Sequence, residues 1–127
     1  MEKKVVNWME VNSPNAAEAF AFYSAVFGWT KSEVDMGEMG MYTMLHEAGK
    51  EEPFAGIMEM KGPDWEGIPP HWMTYFHTDD INSSCDKIKA AGGNIHHGPF
   101  EIPGTGMIAV CSDAHGAHFS LHQPTPQ

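Results

Sequence analysis

Histidines and carboxylates are the side chains of this sequence whose spacing could do chemistry. In an extended strand alternate residues share a face. HWMTYFHT (71–78) would therefore turn His71, Met73, Tyr75 and His77 to one side, and HFSLHQ (118–123) would do the same with His118, Ser120 and His122. VVNWMEVN (5–12) would turn Trp8, Glu10 and Asn12 together. Imidazole combined with carboxylate suits zinc, so Glu10 or Glu59 with His77 and His118 or His122 is one ligand set to weigh. Against it stands the reading of these histidines as rim residues or as hydrogen-bonded members of the sheet. His96 and His97 are adjacent, would alternate faces and are read as structural. His46 and His115 are read as solvated turn or strand-end residues. Four of the ten methionines fall in MGEMGMYTM (36–44). Thioethers suit Cu(I), but no His or Cys is interleaved there. Gap-filling in an adaptable pocket or core is the better account, with the glycines making a mobile lip. Trp8, Trp72 and Tyr75 could floor a ligand cup or serve only as packing. Trp29 reads as core, and Trp65 either caps the cup or pins its loop.

No nucleophile is set up for catalysis. Cys85 and Cys111 lack a neighbouring base or helix start that would favour the thiolate, and they read as reduced and buried. No serine sits in a Gly-x-Ser-x-Gly turn. GPFEIPGTGM (98–107) has neither the lysine nor the following helix of a phosphate loop and reads as a connection between strands.

Bulk properties narrow the partners. The chain has 127 residues, 42% of them apolar, which suits one domain with a real core. Seventeen acids face seven bases for a net charge of −10, and all seven bases are lysine. The basic footprint of a nucleic-acid binder is missing, as is any arginine fork for carboxylate or phosphate. Neutral or cationic ligands are favoured. No run is long enough to span a membrane and the N-terminus lacks the features of a signal peptide, so a cytoplasmic protein is expected.

The elements that must position these residues come in duplicate. VVNWMEVN alternates as a strand should; SPN is a turn with helix-starting residues. AAEAFAFYSAVF (16–27) carries Ala16, Phe20, Tyr23 and Phe27 at helical spacing, with Phe22 and Val26 widening the stripe, and Gly28 stops it. WTKSEVD, MYTMLHEA and PFAGIMEM read as three further strands. In the second half HWMTYFHT is the strand. DDINS opens a helix with apolar Ile81, Cys85, Ile88 and Ala91, and Gly92-Gly93 stops it. NIHHG, MIAVCSD and HFSLHQ complete the pattern. The expected organisation is a single domain over 1–127: one module at about 5–60, a Pro/Gly-rich linker at 61–70, and a second module at about 71–123. Trp8 to Gly28 repeats as Trp72 to Gly92 at an offset of 64, or 65 if Gly28 matches Gly93; one residue of slip flips strand faces. Each half, at about 60 residues, buries too little to be secure alone. The fold class expected is α+β, with two βαβββ modules in tandem forming one curved eight-stranded mixed sheet around a cup.

FYSAVFGW after a strand and turn, and DAHGAHFSL near the C-terminus, resemble the glyoxalase/bleomycin-resistance/extradiol-dioxygenase superfamily, the vicinal oxygen chelate proteins, from about Val5 to His122. That fold hosts isomerases, dioxygenases, thiol transferases and non-catalytic drug binders. The resemblance implies metal ligands at four places: His or Gln on the first strand of each half, and Glu on the last strand of each half. Carried across by spacing, they fall on Trp8, Glu59, Met73 (or, one residue earlier, Trp72) and Ser120. That set does not hold a catalytic ion, and no cofactor is expected.

The favoured expectation is a metal-free cup for a small neutral or cationic organic molecule, in a homodimer like the drug-sequestering branch of the superfamily. Glu10 and Glu59 would supply negative charge, Tyr75, His77 and Ser120 hydrogen bonds, and Trp8, Trp72 and Met73 apolar walls. Two alternatives stay open. One is a lyase or isomerase with a displaced divalent-metal site and Glu59 or His77 as general base. The other is a dimerisation or regulatory module without a ligand.

Overall fold

A computed structural model describes residues 4–37 and 40–126. Met39 and Glu38 of the methionine-rich stretch lie outside them. The fold is α+β: eight strands and two helices in the order β1 (Val6–Ser13), α1 (Ala16–Phe27), β2 (Thr30–Asp35), β3 (Met41–His46), β4 (Pro53–Glu59), β5 (His71–His77), α2 (Ile81–Ala90), β6 (Asn94–Ile102), β7 (Gly106–Ser112) and β8 (His118–Pro124). A short 3-10 turn, Pro63–Trp65, lies between the two βαβββ sets. β6 runs on through GPFEI, read above as a connection, because register shifts at His97 and Phe100 absorb Gly98 and Pro99 without ending the pairing with β7. No helix among the described residues is long and apolar enough to cross a membrane.

Two compact units divide the chain: Trp8–Trp72, and Met73–Gln127 with the first seven residues. In the first, β1 pairs parallel with β4, β4 antiparallel with β3, and β3 antiparallel with β2. Val11, Leu45, Ala55 and Ile57 form the buried core on one face, under Ala16, Ala19, Phe20 and Tyr23 of α1. Asn15 caps α1 by accepting from the Glu18 N–H at 3.0 Å, and Gly28 ends it at φ 75°, a conformation glycine adopts without strain. The stripe expected on α1 is narrower than its apolar content. Phe22 is 62% exposed, and Val26 and Phe27 are exposed as well. Phe22 and Val26 are four residues apart and fall off the Ala16–Ala19–Phe20–Tyr23 arc that meets the sheet.

In the second unit β5 pairs parallel with β8, β8 antiparallel with β7, and β7 antiparallel with β6. Val5, just before β1, accepts from the His77 N–H at 2.8 Å. Ile81 and Cys85 of α2 pack on Ala109, Cys111 and Leu121. Asp80 caps α2 by accepting from the Ser83 N–H at 3.1 Å. The caps settle the repeat: Asn15 matches Asp80 at an offset of 65, while the helix-ending Gly28 and Gly92 lie 64 apart. α2, at 10 residues against 12, is the shorter helix. Trp8 therefore corresponds to Met73, not Trp72.

Candidate functional site

β1 carries the densest polar cluster of the first unit on the face away from α1. Glu10 is paired across to Gly56, and Asn12 to Met58, so Trp8, Glu10 and Asn12 lie opposite the Val11–Ile57 core face. The Trp8 indole donates to the Tyr42 hydroxyl at 2.9 Å, and that hydroxyl donates to Glu10 Oε2 at 2.7 Å. Tyr42 comes from β3 and crosses over Gly56, where a Cβ would overlap its ring. Glu10 is 5% exposed and Asn12 1%. Asn12 and His71 are in hydrogen-bond contact, Nδ2 to Nε2, at 3.3 Å, yet Asn12 Oδ1 is buried with no partner. A buried amide oxygen without a donor costs about 1–3 kcal/mol, so it marks a place where a donor would be welcome. Nothing in MYTMLHEA distinguishes the role of Tyr42; the signal lies in Gly56, the register partner of Met44, over which the Tyr42 ring reaches.

Three sequence expectations change here. Glu59 pairs with Ser13 and has the parity of Ala55 and Ile57, so it lies on the opposite face from Trp8 and Glu10. Its carboxylate lies 3.7 Å from the Lys61 ammonium, an exposed pair of little energetic weight. Trp72 is on the other parity from Met73, and its indole donates to the Tyr23 hydroxyl of α1 at 3.0 Å. His46 is buried, not solvated: Ser32 Oγ and the Lys50 carbonyl engage its two ring nitrogens at 2.7 and 3.2 Å. Trp65 lines a separate apolar hollow of about 440 Å³ with Pro14, Met60, Ile68 and Pro70.

The second unit gathers Met73, Tyr75 and His77 on one face of β5, with Ser120 and His122 as the register partners of Tyr75 and His77 on β8. Met73 is buried, and Ser120 Oγ is fully buried without a partner. Asn7 reaches both rings: its Nδ2 lies 3.2 Å from His77 Nδ1 and 3.0 Å from His122 Nδ1. His96 and His118 stack at 4.7 Å, and His96 also contacts Ser112 Oγ at 2.7 Å. The DAHGAHFSL motif has a structural basis. Asp113 accepts from the His115 and Ala117 N–H groups at 2.8 and 3.0 Å, and these bonds hold its carboxyl below the ordinary range. Gly116 turns the chain at φ 93°. Both cysteines are free and buried; burial pushes the Cys111 thiol up to about 11.

Register also corrects the metal positions. Glu10 faces Gly56 as Tyr75 faces Ser120, so Gly56, not Glu59, is the counterpart of Ser120. The four positions hold Trp8, Gly56, Met73 and Ser120. An indole has no lone pair to give, Gly56 has no side chain, and Tyr42 fills the space a carboxylate there would need. A thioether and an unpartnered hydroxyl remain, a poor set for a hard divalent ion. Neither pair, Trp8 with Gly56 in the first unit or Met73 with Ser120 in the second, fits the metal that the family resemblance implies. Among the described residues no three His, Cys, Asp or Glu side chains cluster as metal ligands.

The chain belongs to the Glyoxalase/Bleomycin resistance protein/Dioxygenase superfamily, whose family model matches residues 5–121. A Mycobacterium bovis relative, "Putative glyoxylase CFP32", is 40% identical over 120 residues, 94% of this chain and 44% of its own length. The "Anthracycline biosynthesis protein DnrV" of Streptomyces peucetius is 31% identical over 123 residues, 90% of this chain and 45% of its own. The chain thus spans less than half the length of these curated relatives. Among solved structures, methylmalonyl-CoA epimerase from Mycobacterium tuberculosis is similar at 15% identity and TM-score 0.62, covering 96% of this chain and 89% of the other. A methylmalonyl-CoA epimerase in complex with methylmalonyl-CoA and NH4+ aligns at 17% and 0.65, covering 96% and 98%. These likenesses establish the fold.

Proposed function

We propose that this is a binding member of the superfamily that takes a small, neutral or cationic organic molecule against the polar face of β1, without metal. The observation that carries the reading is the pair of buried acceptors side by side on that strand: the Glu10 carboxylate and the unpartnered Asn12 Oδ1. Both suit a ligand rich in N–H or ammonium donors, and the Trp8 indole adds an aromatic face that attracts cations. The absence of arginine and the net charge of −10 disfavour an anionic ligand such as a coenzyme A ester. The name of the Streptomyces relative connects a homologous chain with the making of anthracyclines, which makes an amine-bearing anthracycline a reasonable first probe. Of the residues expected to take part, Trp8 and Glu10 lie at this site, Met73, Tyr75, His77 and Ser120 belong to the second unit, and Glu59 and Trp72 have placements that argue against them.

Thermal shift and fluorescence titration with doxorubicin and bleomycin, with coenzyme A as the anionic control, test this. The expected result is stabilisation by a cation and none by coenzyme A. Binding raises stability by RT ln(1 + [L]/Kd), about 2.7 kcal/mol at a hundredfold excess over Kd. Glu10→Gln should weaken the cation about tenfold or more. Coenzyme A stabilising the protein while the cations do not would refute the reading. A single domain that pairs as a homodimer in the cytoplasm completes the proposal; sedimentation of the untagged protein reports the oligomeric state.

A further inference from the structure

We propose that the second unit holds a site for a divalent transition-metal ion between His77 and His122, closed by the side chain of Asn7, away from the four family positions. The argument starts from where the ring nitrogens point. His77 and His122 are register partners on adjacent parallel strands, so their side chains leave the sheet on the same face. Each ring is anchored at Nε2. His77 Nε2 lies 3.0 Å from Asp79 Oδ1, and His122 Nε2 lies 2.9 Å from the Thr105 carbonyl. Both anchors are acceptors, so both Nε2 atoms carry the proton and donate it. The Nδ1 atoms are then the acceptors of the two rings, and both accept from the single Asn7 Nδ2.

This is the arrangement that orients imidazole for a metal. A ligating histidine almost always donates its second ring N–H to a carboxylate or a backbone carbonyl, which fixes tautomer and angle and raises basicity. Here one ring has the carboxylate and the other the carbonyl. A half-turn of the Asn7 amide would replace its NH2 with Oδ1, giving two nitrogens and one oxygen with water completing the shell. Such a set favours Cu2+ over Zn2+ and other first-row ions, by the usual order of affinities. The stacked His96–His118 pair does not compete on geometry: near-parallel rings 4.7 Å apart do not aim two lone pairs at one ion. A single amide donating to two neutral rings serves as the resting state, and the ion takes the place of its NH2 while Oδ1 turns toward the ion.

The test uses the untagged 127-residue chain titrated with Cu2+ and, separately, Zn2+. One equivalent of Cu2+ should bind with nitrogen couplings from two imidazoles in its electron paramagnetic resonance. His77→Gln and His122→Gln should each weaken it at least tenfold. Asp79→Asn should weaken it by about 10–100-fold through loss of the ring's anchor. His96→Gln should leave it unchanged. Acid should weaken it, because the ligating rings must be unprotonated. Should the His variants fold poorly, Zn2+ added to the unaltered protein gives the same answer: the Nδ1 nitrogen resonances of two rings shift while their Nε2 stay protonated. No stoichiometric binding, undiminished binding in the double variant, or loss of binding on His96→Gln overturns the proposal.

Discussion

Replacing Gly56 by alanine is a one-carbon test of the β1 polar face. Gly56 sits in β4 with no left-handed backbone requirement, so on conformational grounds alanine should stabilise the strand by about 0.5–1 kcal/mol. The side-chain geometry opposes this. A Cβ there would overlap the Tyr42 ring, with the hydroxyl nearest. Over-packing of this kind costs about 1–3 kcal/mol. Displacing the ring also removes the Trp8–Tyr42 and Tyr42–Glu10 hydrogen bonds, the second to a buried carboxylate, each worth about 1 kcal/mol or more. Overpacking outweighs the conformational gain, and Gly56→Ala should lose about 2 kcal/mol. Urea unfolding reads this as a lower midpoint at unchanged slope, a fall of about 1 M for a slope near 2 kcal/mol per molar. In a Tyr42→Ala background the same substitution should be neutral or stabilising, giving a coupling of about 2 kcal/mol in the double-mutant cycle. An unchanged or raised midpoint beside Tyr42, or equal losses in both backgrounds, would refute the claim that Tyr42 occupies the Gly56 cradle.

Further expectations follow from the same geometry. Phe20→Ala, on the sheet-facing side of α1, should cost about 3 kcal/mol, while Phe22→Ala on the exposed side should stay within about 0.5 kcal/mol by urea denaturation. Asp113 has its folded carboxyl below the unfolded value of 3.8, so its contribution is present above that pH and fades as pH falls beneath it; Asp113→Asn should flatten the acid limb of a stability-against-pH curve. Cys111 has its thiol raised from 9.0 to about 11, so the unfolded state loses its proton first and stability should decline as pH rises from 9 to 11, a decline that Cys111→Ala removes. Neither cysteine should react with a thiol reagent at neutral pH until urea unfolds the protein.

Element types were legible because both signals they depend on are local. Alternation marks the strands, and Asn15, Gly28, Asp80 and Gly92 punctuate the helices. Facing was harder. The two halves differ in helix length, so matching glycines gives an offset of 64 and matching caps gives 65, and only the second puts Met73 at the place of Trp8. Glu59 differs for a related reason: spacing along the chain points to it, whereas pairing to β1 fixes Gly56 as the counterpart of Ser120. The stripe of α1 is narrower than its composition suggests because six apolar residues do not say which arc meets the sheet. The burial of His46 is not legible in the sequence because its two partners, Ser32 and Lys50, are joined to it only by the β2–β3 register and the following turn. Apart from the α1 stripe, these differences concern pairing between strands, which periodicity along one strand does not encode.

The repeat also separates backbone from chemistry. At the offset of 65, Trp8 answers to Met73, Glu10 to Tyr75 and Asn12 to His77; the strands keep their pairing while every polar group changes. In the first unit the change leaves a buried carboxylate tied to a tyrosine and an amide oxygen without a donor. In the second it leaves imidazoles whose outer nitrogens are already bonded to acceptors. A donor-rich molecule suits the first set and a transition-metal ion the second, and neither chemistry needs a metal at the family's own ligand positions. The two can therefore be lost independently: Glu10→Gln should leave Cu2+ binding intact, and His122→Gln should leave cation binding at β1 intact. A single variant abolishing both without unfolding the chain would contradict this division.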